Sequence, residues 1–350
     1  MPRVEEAQPG TDGIQQEVLL TLAEWRPPTR DQFEQEIATR NEPAILRGLV
    51  ADWPVVAAAR ESTDALKVYL ARLDCGTKVR AFVGDSEMRG RFFYGPDFDG
   101  FNFGQVEGEL QQLLGAIVES SDARYIYMGS TPTAQLLPAF AGENPLPLVD
   151  GKPTEPRVWI GGDSVVAPHF DESDNIACVV SGRRRFILFP PNQVSNLYVG
   201  PIDNTMAGQP ASLVEIDNPD FDRFPRFRGA LNHALVGELE PGDAIYIPAL
   251  WWHGVKATGP LNVLINYWWQ DVPADAGSPM VAIAAALLSI SPLPEHKRQA
   301  WRDMFDHFVF KMDSDPVDHI PEHARGVLGR STPELRRVLR DFVVRALHRK

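Results

Sequence analysis

The chain has 350 residues, of which 44% are hydrophobic and 23% charged, a globular composition for one large domain or two modest ones. Its 34 basic and 47 acidic residues give a net charge of −13, which disfavours binding to the phosphate backbone of a nucleic acid. Two cysteines, no apolar leader and no membrane-length apolar run predict a soluble, cytoplasmic protein in a reducing compartment.

The first part of the chain is predicted to mix helices and strands. Residues 1–16, rich in Gln, Glu, Pro and Gly, are expected to form a disordered tail. A helix is predicted to begin at Thr29, which forms a capping box with Gln32, and to end before Asn41. The pattern then predicts a strand at 43–47, a helix at 63–73, a strand at 78–83, a helix at 107–119 and a strand at 124–128.

From about residue 157 the sequence changes to short, closely spaced strands. The predicted strands are 158–160, 165–171, 175–180, 184–189, 244–248, 253–257 and 263–269. Tight turns are predicted at Ser181–Gly182 and at 240–243, and residues 191–236, rich in Pro, Asn and Asp, are interpreted as a long insert outside the core. This spacing predicts a closed or sandwiched all-β unit at about 157–272, followed by a helical region at 273–350.

Three residues of the β-rich part have the types and spacing of a metal site. His169 and Asp171 are two residues apart on one predicted strand, so both side chains project from the same face. His253 lies on a separate predicted strand. Two histidines and one carboxylate leave three positions open on an octahedral metal, which suits non-haem Fe(II). The spacing alone leaves an ordinary core or surface role open, because His-x-Asp is common by chance.

A series of longer motifs surrounds these residues. They are E-P-A-I-L-R-G at 42–48, D-W-P at 52–54, P-H-F-D-E at 168–172, G-R-R-R-F-I-L-F-P-P at 182–191, N-P-D at 218–220, R-F-P at 223–225, P-G-D-A-I-Y-I-P at 241–248, W-W-H at 251–253 and N-Y-W at 266–268. In this order they resemble the cupin-like JmjC hydroxylases, and the pattern is nearest to the asparaginyl hydroxylases of that family. The resemblance covers residues 40–272.

The resemblance implies a mainly β fold, a double-stranded β-helix (jelly-roll, cupin) barrel with N-terminal α/β elements and a C-terminal helical region. The catalytic domain would cover 17–272. It also implies an Fe(II)- and 2-oxoglutarate-dependent dioxygenase with iron held by His169, Asp171 and His253, and with O2 as the other co-substrate. Succinate and CO2 would be released. The expected substrate is a protein side chain or a small molecule, and nucleic acid is the least expected.

The far carboxylate of 2-oxoglutarate requires a cation inside such a barrel, and the resemblance puts Arg184 there, where the asparaginyl hydroxylases have Lys. Strand alternation places Arg184 on one face with Phe186, and Arg183 and Arg185 on the other. An arginine can bind a carboxylate through two parallel hydrogen bonds. A solvated hairpin edge is the alternative interpretation of the three arginines.

Further residues near the co-substrate follow from the resemblance. Tyr127 would donate a hydrogen bond to the same carboxylate, although core packing is an equally open role. Val166 replaces a family threonine and removes one hydrogen bond. Asn175 and Asn266 match asparagines near the iron and co-substrate, and Asn266 would be costly in its apolar strand without a partner. Trp268 shares the face of Asn266 and is expected to wall the pocket.

Two expectations concern function class and assembly. A non-catalytic metal-binding cupin that binds or senses a ligand is the alternative from another class. Residues 331–334 are interpreted as the capping box of a C-terminal helix. Its apolar residues follow one stripe: Leu335, Val338, Leu339, Phe342, Val343, Ala346 and Leu347. The helix packs on its own barrel or, as the resemblance implies, joins two copies, and we expect a homodimer.

Overall fold

The computed structural model describes residues 20–120, 124–312 and 315–348. The chain divides into two compact units, Met1–Gln270 and Asp271–Lys350. The predicted disordered tail at 1–16 lies outside the described residues. No helix within the described ranges is long and apolar enough to cross a membrane.

The first unit combines twelve strands with seven α-helices in its described part. The strands are β1 (Leu20–Thr21), β2 (Ala23–Trp25), β3 (Ala44–Leu46), β4 (Val79–Asp85), β5 (Gly104–Gly108), β6 (Arg124–Pro132), β7 (Arg157–Gly161), β8 (Ser164–His169), β9 (Asp174–Phe189), β10 (Leu235–Leu239), β11 (Ala244–Ile247) and β12 (Trp252–Trp269). The helices are α1 (Arg30–Gln32), α2 (Pro54–Glu61), α3 (Thr63–Leu73), α4 (Leu110–Glu119), α5 (Thr133–Leu136), α6 (Phe140–Glu143) and α7 (Phe227–Leu231).

The helical starts follow local sequence chemistry. Thr29 forms the predicted capping box, since its Oγ1 accepts from the Gln32 amide at 3.2 Å and its own amide donates to the Gln32 side chain at 3.0 Å. Helix α3 has the predicted bounds, and Ser62 caps it. The helix predicted at 107–119 begins only at Leu110, because the preceding residues pair with β4 as strand β5. Strands β1 and β2 are too short to give a sequence pattern.

The core is built on a long antiparallel ribbon of β9 and β12, and the two halves of the ribbon have different neighbours. The first half of β9 pairs with β11, and the second half pairs with β10. The first half of β12 pairs with β8, and the second half pairs with β7. One layer therefore runs β10-β9-β12-β8, and the other runs β2-β3-β11-β9-β12-β7-β6-β4-β5. The predicted jelly-roll fold is confirmed.

The predicted turn at Ser181–Gly182 is wrong, because β9 continues through these residues. Gly182 has a φ of +76°, and a Cβ there would lie 1.9 Å from Oδ1 of Asn262 on β12. Gly182 does adopt the left-handed conformation that favours glycine, but this conformation bends the strand from one layer to the other instead of reversing the chain. The strands predicted at 253–257 and 263–269 are likewise one strand, β12. The turn at 240–243 is confirmed by the 3.0 Å hydrogen bond from Asp243 N to Glu240 O.

The interpretation of residues 191–236 as an insert outside the core is wrong in two respects. Its last two residues belong to β10, which pairs with β9 and with β1. The rest has its own apolar core against the barrel, formed by Ile187, Phe189, Leu197, Val214, Phe224, Phe227, Ala230, Leu231, Ala234 and Trp252. These apolar residues stand at irregular spacing between Pro, Asn and Asp, so no periodic pattern reveals them.

The second unit is helical where it is described, with α8 (Pro279–Ser289), α9 (Glu295–Phe305) and α10 (Pro333–Leu347). The capping box at 331–334 is wrong by one residue. Thr332 is the cap, because its side chain accepts from the amide of Leu335 at 3.3 Å, whereas Ser331 accepts from the Arg336 guanidinium at 3.1 Å. The apolar stripe of α10 is exposed, and Phe342 is 64% exposed.

Candidate metal centre and its cavity

The three predicted ligands meet at one end of the barrel. His169 is the last residue of β8, and its cross-strand partner is His253 at the start of β12. One ligand atom from each of His169, Asp171 and His253 lies within 4.8 Å of the others. Nε2 of His253 is 3.6 Å from Oδ2 of Asp171. Neighbouring strands therefore bring the two imidazoles together, and Asp171, two residues past the end of β8, completes a group with separations that suit a single metal ion.

Backbone carbonyls fix the orientation of both imidazoles. Nδ1 of His169 lies 3.0 Å from the carbonyl oxygen of Ala167, and Nδ1 of His253 lies 3.0 Å from that of Trp251. With a proton on each Nδ1, both Nε2 atoms present lone pairs toward Asp171. Burial lowers the pKa of His253 to about 4, so this imidazole is neutral near pH 7, which is the form that binds a metal.

Asp171 lies beyond the strand on which it was predicted, because β8 ends at His169. Its backbone oxygen accepts from the amide of Leu250 at 2.8 Å, and the Nε1–H of Trp268 donates to its Oδ2 at 3.1 Å. The intervening Phe170 packs edge-on against Trp252, with ring centroids 5.0 Å apart. The carboxylate is thus held by Trp268 and a backbone bond rather than by strand pairing.

Trp268→Phe should weaken Fe(II) binding by about tenfold to a hundredfold, because it removes the hydrogen bond that orients Asp171 and keeps an aromatic ring in place. Trp159→Phe is the matched control, since Trp159 lines the same cavity and its Nε1 has no hydrogen-bond partner among the described residues. Equilibrium dialysis against Fe(II) under anaerobic conditions measures both variants. Equal affinities for the two variants would contradict the role of Trp268.

A cavity of about 510 Å³ opens from the three ligands into the barrel, within the usual size of small-molecule sites. All eight residues singled out from the sequence line it: Tyr127, His169, Asp171, Asn175, Arg184, His253, Asn266 and Trp268. Val166, in place of the family threonine, also lines the cavity and supplies no hydroxyl there. The two layers of the barrel therefore bring residues from distant parts of the sequence to a single cavity.

Arg184 is a buried cation without a counter-ion. It is only 3% exposed, no described carboxylate forms an ion pair with it, and its Nε has no hydrogen-bond partner. Arg183, by contrast, points outward and pairs with Glu240 at 3.0 Å. Burial lowers the pKa of Arg184, while nearby Tyr127 opposes that shift. Because a buried charge is costly without a partner, the wall of this cavity is suited to an anion.

Tyr127 lies close enough to Arg184 for the two groups to affect each other's pKa. Burial raises the pKa of Tyr127 to about 12, so its hydroxyl stays protonated and can donate a hydrogen bond to an acceptor. The ring stacks on Trp159 with centroids 6.0 Å apart. Core packing and hydrogen bonding, left open by the sequence, are therefore compatible roles for one side chain.

Asn266 and Asn175 form a polar pair on the cavity wall. Nδ2 of Asn266 donates to Oδ1 of Asn175 at 2.8 Å, which provides the partner that an asparagine in an apolar strand needs. Oδ1 of Asn266 is buried and has no partner among the described residues. This oxygen is therefore available as an acceptor for a molecule in the cavity.

Sequence reasoning missed several residues of the cavity. The segment 91–103 contributes aromatic side chains, and its unusual density of Phe and Tyr is a signal that could have indicated a pocket wall. The insert also reaches the cavity, although its sequence gave no sign of this. The missed residues include Phe82, Phe92, Phe103, Ser130, Arg157, Trp159, Met206 and Gln209.

Comparison with known proteins places this architecture in a family. Over 160 residues the chain is 37% identical to Lysine-specific demethylase JMJ31 of Arabidopsis thaliana, and the aligned region covers 44% of this chain and 25% of that protein. It is 35% identical over 107 residues to tRNA wybutosine-synthesizing protein 5 of Gallus gallus, covering 31% of this chain and 30% of that protein. It is 24% identical over 248 residues to JmjC domain-containing protein D of Dictyostelium discoideum, covering 66% of this chain and 52% of that protein.

The aligned regions thus span between 25% and 52% of the length of these relatives. A separate match to the family described as the Cupin-like domain runs from residue 30 to residue 275. This range contains the three candidate ligands, strands β3 to β12 and all the residues that line the cavity. Because the match covers more than half of the chain, the protein belongs to the Cupin-like domain family, in which its relatives include JmjC proteins.

Proposed function

We propose that the protein is an Fe(II)- and 2-oxoglutarate-dependent oxygenase, and specifically a hydroxylase of a protein side chain or a small molecule. The observation that carries the proposal is the buried, unpaired Arg184 in the same cavity as an open His-Asp-His triad. A metal-binding module needs the triad but not the cation. An oxygenase with a dicarboxylate co-substrate needs both the triad and the cation.

The residues present fit these two groups. Two imidazole nitrogens and one carboxylate are a donor set that suits Fe(II) and leaves half of its coordination positions open. The Nε–H of Arg184 has no partner among the described residues, and nearby Tyr127 offers a protonated hydroxyl. Together these donors match a carboxylate, which accepts several charge-assisted hydrogen bonds. The JmjC names of the relatives agree with this assignment.

Fe(II) with 2-oxoglutarate supplies the activation of O2, with succinate and CO2 as the co-products. The chain's own residues bind and orient. Arg184 and Tyr127 hold the far carboxylate of the co-substrate. Asn266, braced by Asn175, presents an acceptor close to Trp268, and Trp268 fixes Asp171. The aromatic residues of the wall exclude water from the reacting centre, which strengthens these electrostatic contacts.

The experiment that tests this proposal is anaerobic addition of Fe(II) and then 2-oxoglutarate to the metal-free protein. A weak visible charge-transfer band that appears only with both additions is the expected result. Succinate release on admission of O2, with and without candidate substrates, then separates an enzyme from a non-catalytic metal-binding cupin that binds or senses a ligand. Metal binding without the band or succinate would favour that alternative.

The substrate class is proposed on the charge of the chain. With a net charge of −13, the chain is a poor match for a polyanion, so we propose a protein side chain or small molecule rather than nucleic acid. The names of two relatives refer to lysine demethylation and to tRNA. A methylated lysine peptide and a tRNA are therefore included in the succinate assay, and stimulation by either would redirect the assignment.

We also propose that the protein is a homodimer joined through its C-terminal helices. The helix α8 is apolar and exposed, with Val281 and Leu288 62% and 68% exposed, and α10 exposes Val338 and Phe342. Apolar residues exposed on two helices of one unit indicate a surface that another molecule covers, and a second copy is the simplest symmetric partner.

The full-length protein should sediment as a dimer at micromolar concentration, and Val338→Glu with Phe342→Glu should produce a monomer. Arg345→Ala, an exposed change on the same helix, is the control and should remain dimeric. Sedimentation equilibrium measures all three proteins. A full-length monomer at that concentration would refute the dimer.

The cytoplasmic location remains a prediction. Cys75 and Cys178 are both free, which suits a reducing compartment. Fractionation of the source cells tests it.

A further inference from the structure

Arg157, the first residue of β7, is a second arginine on the cavity wall. Its Nε donates to Oγ of Ser130, and its Nη2 donates to the backbone oxygen of the same residue at 3.2 Å. In the described part of the chain, no carboxylate forms an ion pair with Arg157 and no acceptor receives a hydrogen bond from its Nη1. One side of the planar guanidinium is therefore fixed by Ser130, and the remaining N–H groups are available to a molecule in the cavity.

Arg157 and Tyr127 stand at different positions along the paired strands. Gly161, at the opposite end of β7, is the cross-strand partner of Tyr127, and Arg157 is the partner of Asn266. Four residues of extended strand separate these two positions by about 13 Å. The cavity thus has two cationic places, one on the Tyr127 side and one on the Asn266 side.

The same cavity wall carries many aromatic side chains. Phe82 and Phe103 pack with ring centroids 4.9 Å apart, and Trp159 meets Trp268 edge-on at 5.9 Å. Met206 from the insert also lines the cavity. Flat, apolar surfaces of this kind bind apolar or aromatic groups and offer few hydrogen bonds.

The charges of the lining residues also indicate a substrate with a negative charge. This step rests on the proposed function. Besides the two histidines, Asp171, Arg184 and Arg157 are the ionisable cationic and acidic side chains of the wall. The two charges of Fe(II) and the one of Arg184 are balanced by Asp171 and the two carboxylates of 2-oxoglutarate. Arg157, which is partly buried, then remains as a positive charge without a described acidic partner, which favours a substrate with one negative charge.

We propose that Arg157 binds the carboxylate of a small substrate with an apolar or aromatic body, and that this contact determines substrate specificity. The arginine contacts a group that does not react, and it positions the rest of the molecule along the aromatic wall toward the metal. A single carboxylate is compatible with the chain's charge of −13, whereas an acidic peptide or a nucleic acid would be repelled.

The test uses three pairs of an acid and its neutral amide: phenylacetate, 3-phenylpropionate and octanoate with the corresponding amides. Each is titrated into the full-length protein loaded with Mn(II) and 2-oxoglutarate, and binding is measured by calorimetry. The parent should bind the acid about tenfold to a hundredfold more tightly than the amide in at least one pair. Arg157→Ala should remove the preference. Arg183→Ala, which removes the same charge from the outer face, should retain it.

Arg157→Gln is a second variant that keeps a side chain able to contact Ser130, in case the alanine variant does not fold. The proposal is overturned if no pair shows an acid preference, or if the preference survives the loss of Arg157. Tighter binding of phenyl phosphate than of any acid would overturn the carboxylate assignment. So would weaker 2-oxoglutarate binding by Arg157→Ala, because Arg157 would then belong to the co-substrate site. A parent protein that fails to bind 2-oxoglutarate in a titration without probe would refute the proposed function instead.

Discussion

His253→Ala is expected to lose most of its affinity for Fe(II) and all of its turnover. Under the proposed function His253 supplies one of only three protein bonds to the metal, and its Nε2 is directed to the site by the bond from Nδ1 to the Trp251 carbonyl. The same loss is expected for His169→Ala and Asp171→Ala. Iron content after anaerobic reconstitution and desalting, together with succinate release, measures the effect.

The matched control is His233→Ala. His233 is exposed, and its Nδ1 contacts the carbonyl oxygen of Gly229 rather than the cavity. Because His253 is buried, His253→Gln is included as a variant of similar size, and thermal unfolding of the metal-free proteins shows whether each one folds. Stoichiometric iron in a folded His253 variant would refute the assignment of the three ligands.

Arg184→Ala is expected to raise the concentration of 2-oxoglutarate required for half-saturation by about 30-fold to several thousandfold. The change leaves a buried carboxylate without its charge-assisted partner, a loss of about 2–5 kcal/mol. Iron binding should be unaffected, because Arg184 is not one of the three ligands. Arg184→Lys should be milder but not neutral, since lysine offers a point charge in place of two parallel donors.

Arg183→Ala is the charge-matched control for this experiment, and Arg185→Ala is a second. Arg183 is paired with Glu240 on the outer face, and Arg185 lies outside the cavity. Both variants should titrate with 2-oxoglutarate like the parent, as followed by the charge-transfer band. If Arg184→Ala also titrates like the parent, another residue anchors the co-substrate or 2-oxoglutarate is not used. The non-catalytic cupin would then be the better interpretation.

The sequence predicted those parts of the site that depend on strand alternation and on ordered motifs. Arg184 could be placed on the inner face because side chains alternate along a strand, and the structure buries Arg184 between the more exposed Arg183 and Arg185. Asp171 was placed near the metal, but its position beyond the end of β8 depends on the bonds from Leu250 and Trp268, which no local pattern reveals. The continuity of β9 through Gly182 was missed because a left-handed glycine serves a bend and a turn equally well.

The parts that could not be predicted depend on contacts between distant segments. The apolar core of the insert is made by residues at irregular spacing, so its burial is visible only when the barrel is assembled. Arg157 gives no sequence signal of its own, because its role depends on Ser130 of a neighbouring strand and on the absence of a described acidic neighbour. The predicted cap of α10 was wrong by one residue because Ser331 and Thr332 are equally suited to the cap position.

The long ribbon of β9 and β12 also has a consequence for the order in which the molecule folds. It pairs residues more than sixty positions apart in sequence, such as Phe189 with Trp252 and Asp174 with Trp269. Closure of such a large loop costs conformational entropy before any pairing repays it, so this step is expected to be slow and late. Since His253, Asn266 and Trp268 all lie on β12, the metal ligands and the polar wall become complete in that single late event. Nascent chains that end before β12 should therefore bind the metal much more weakly than the complete chain.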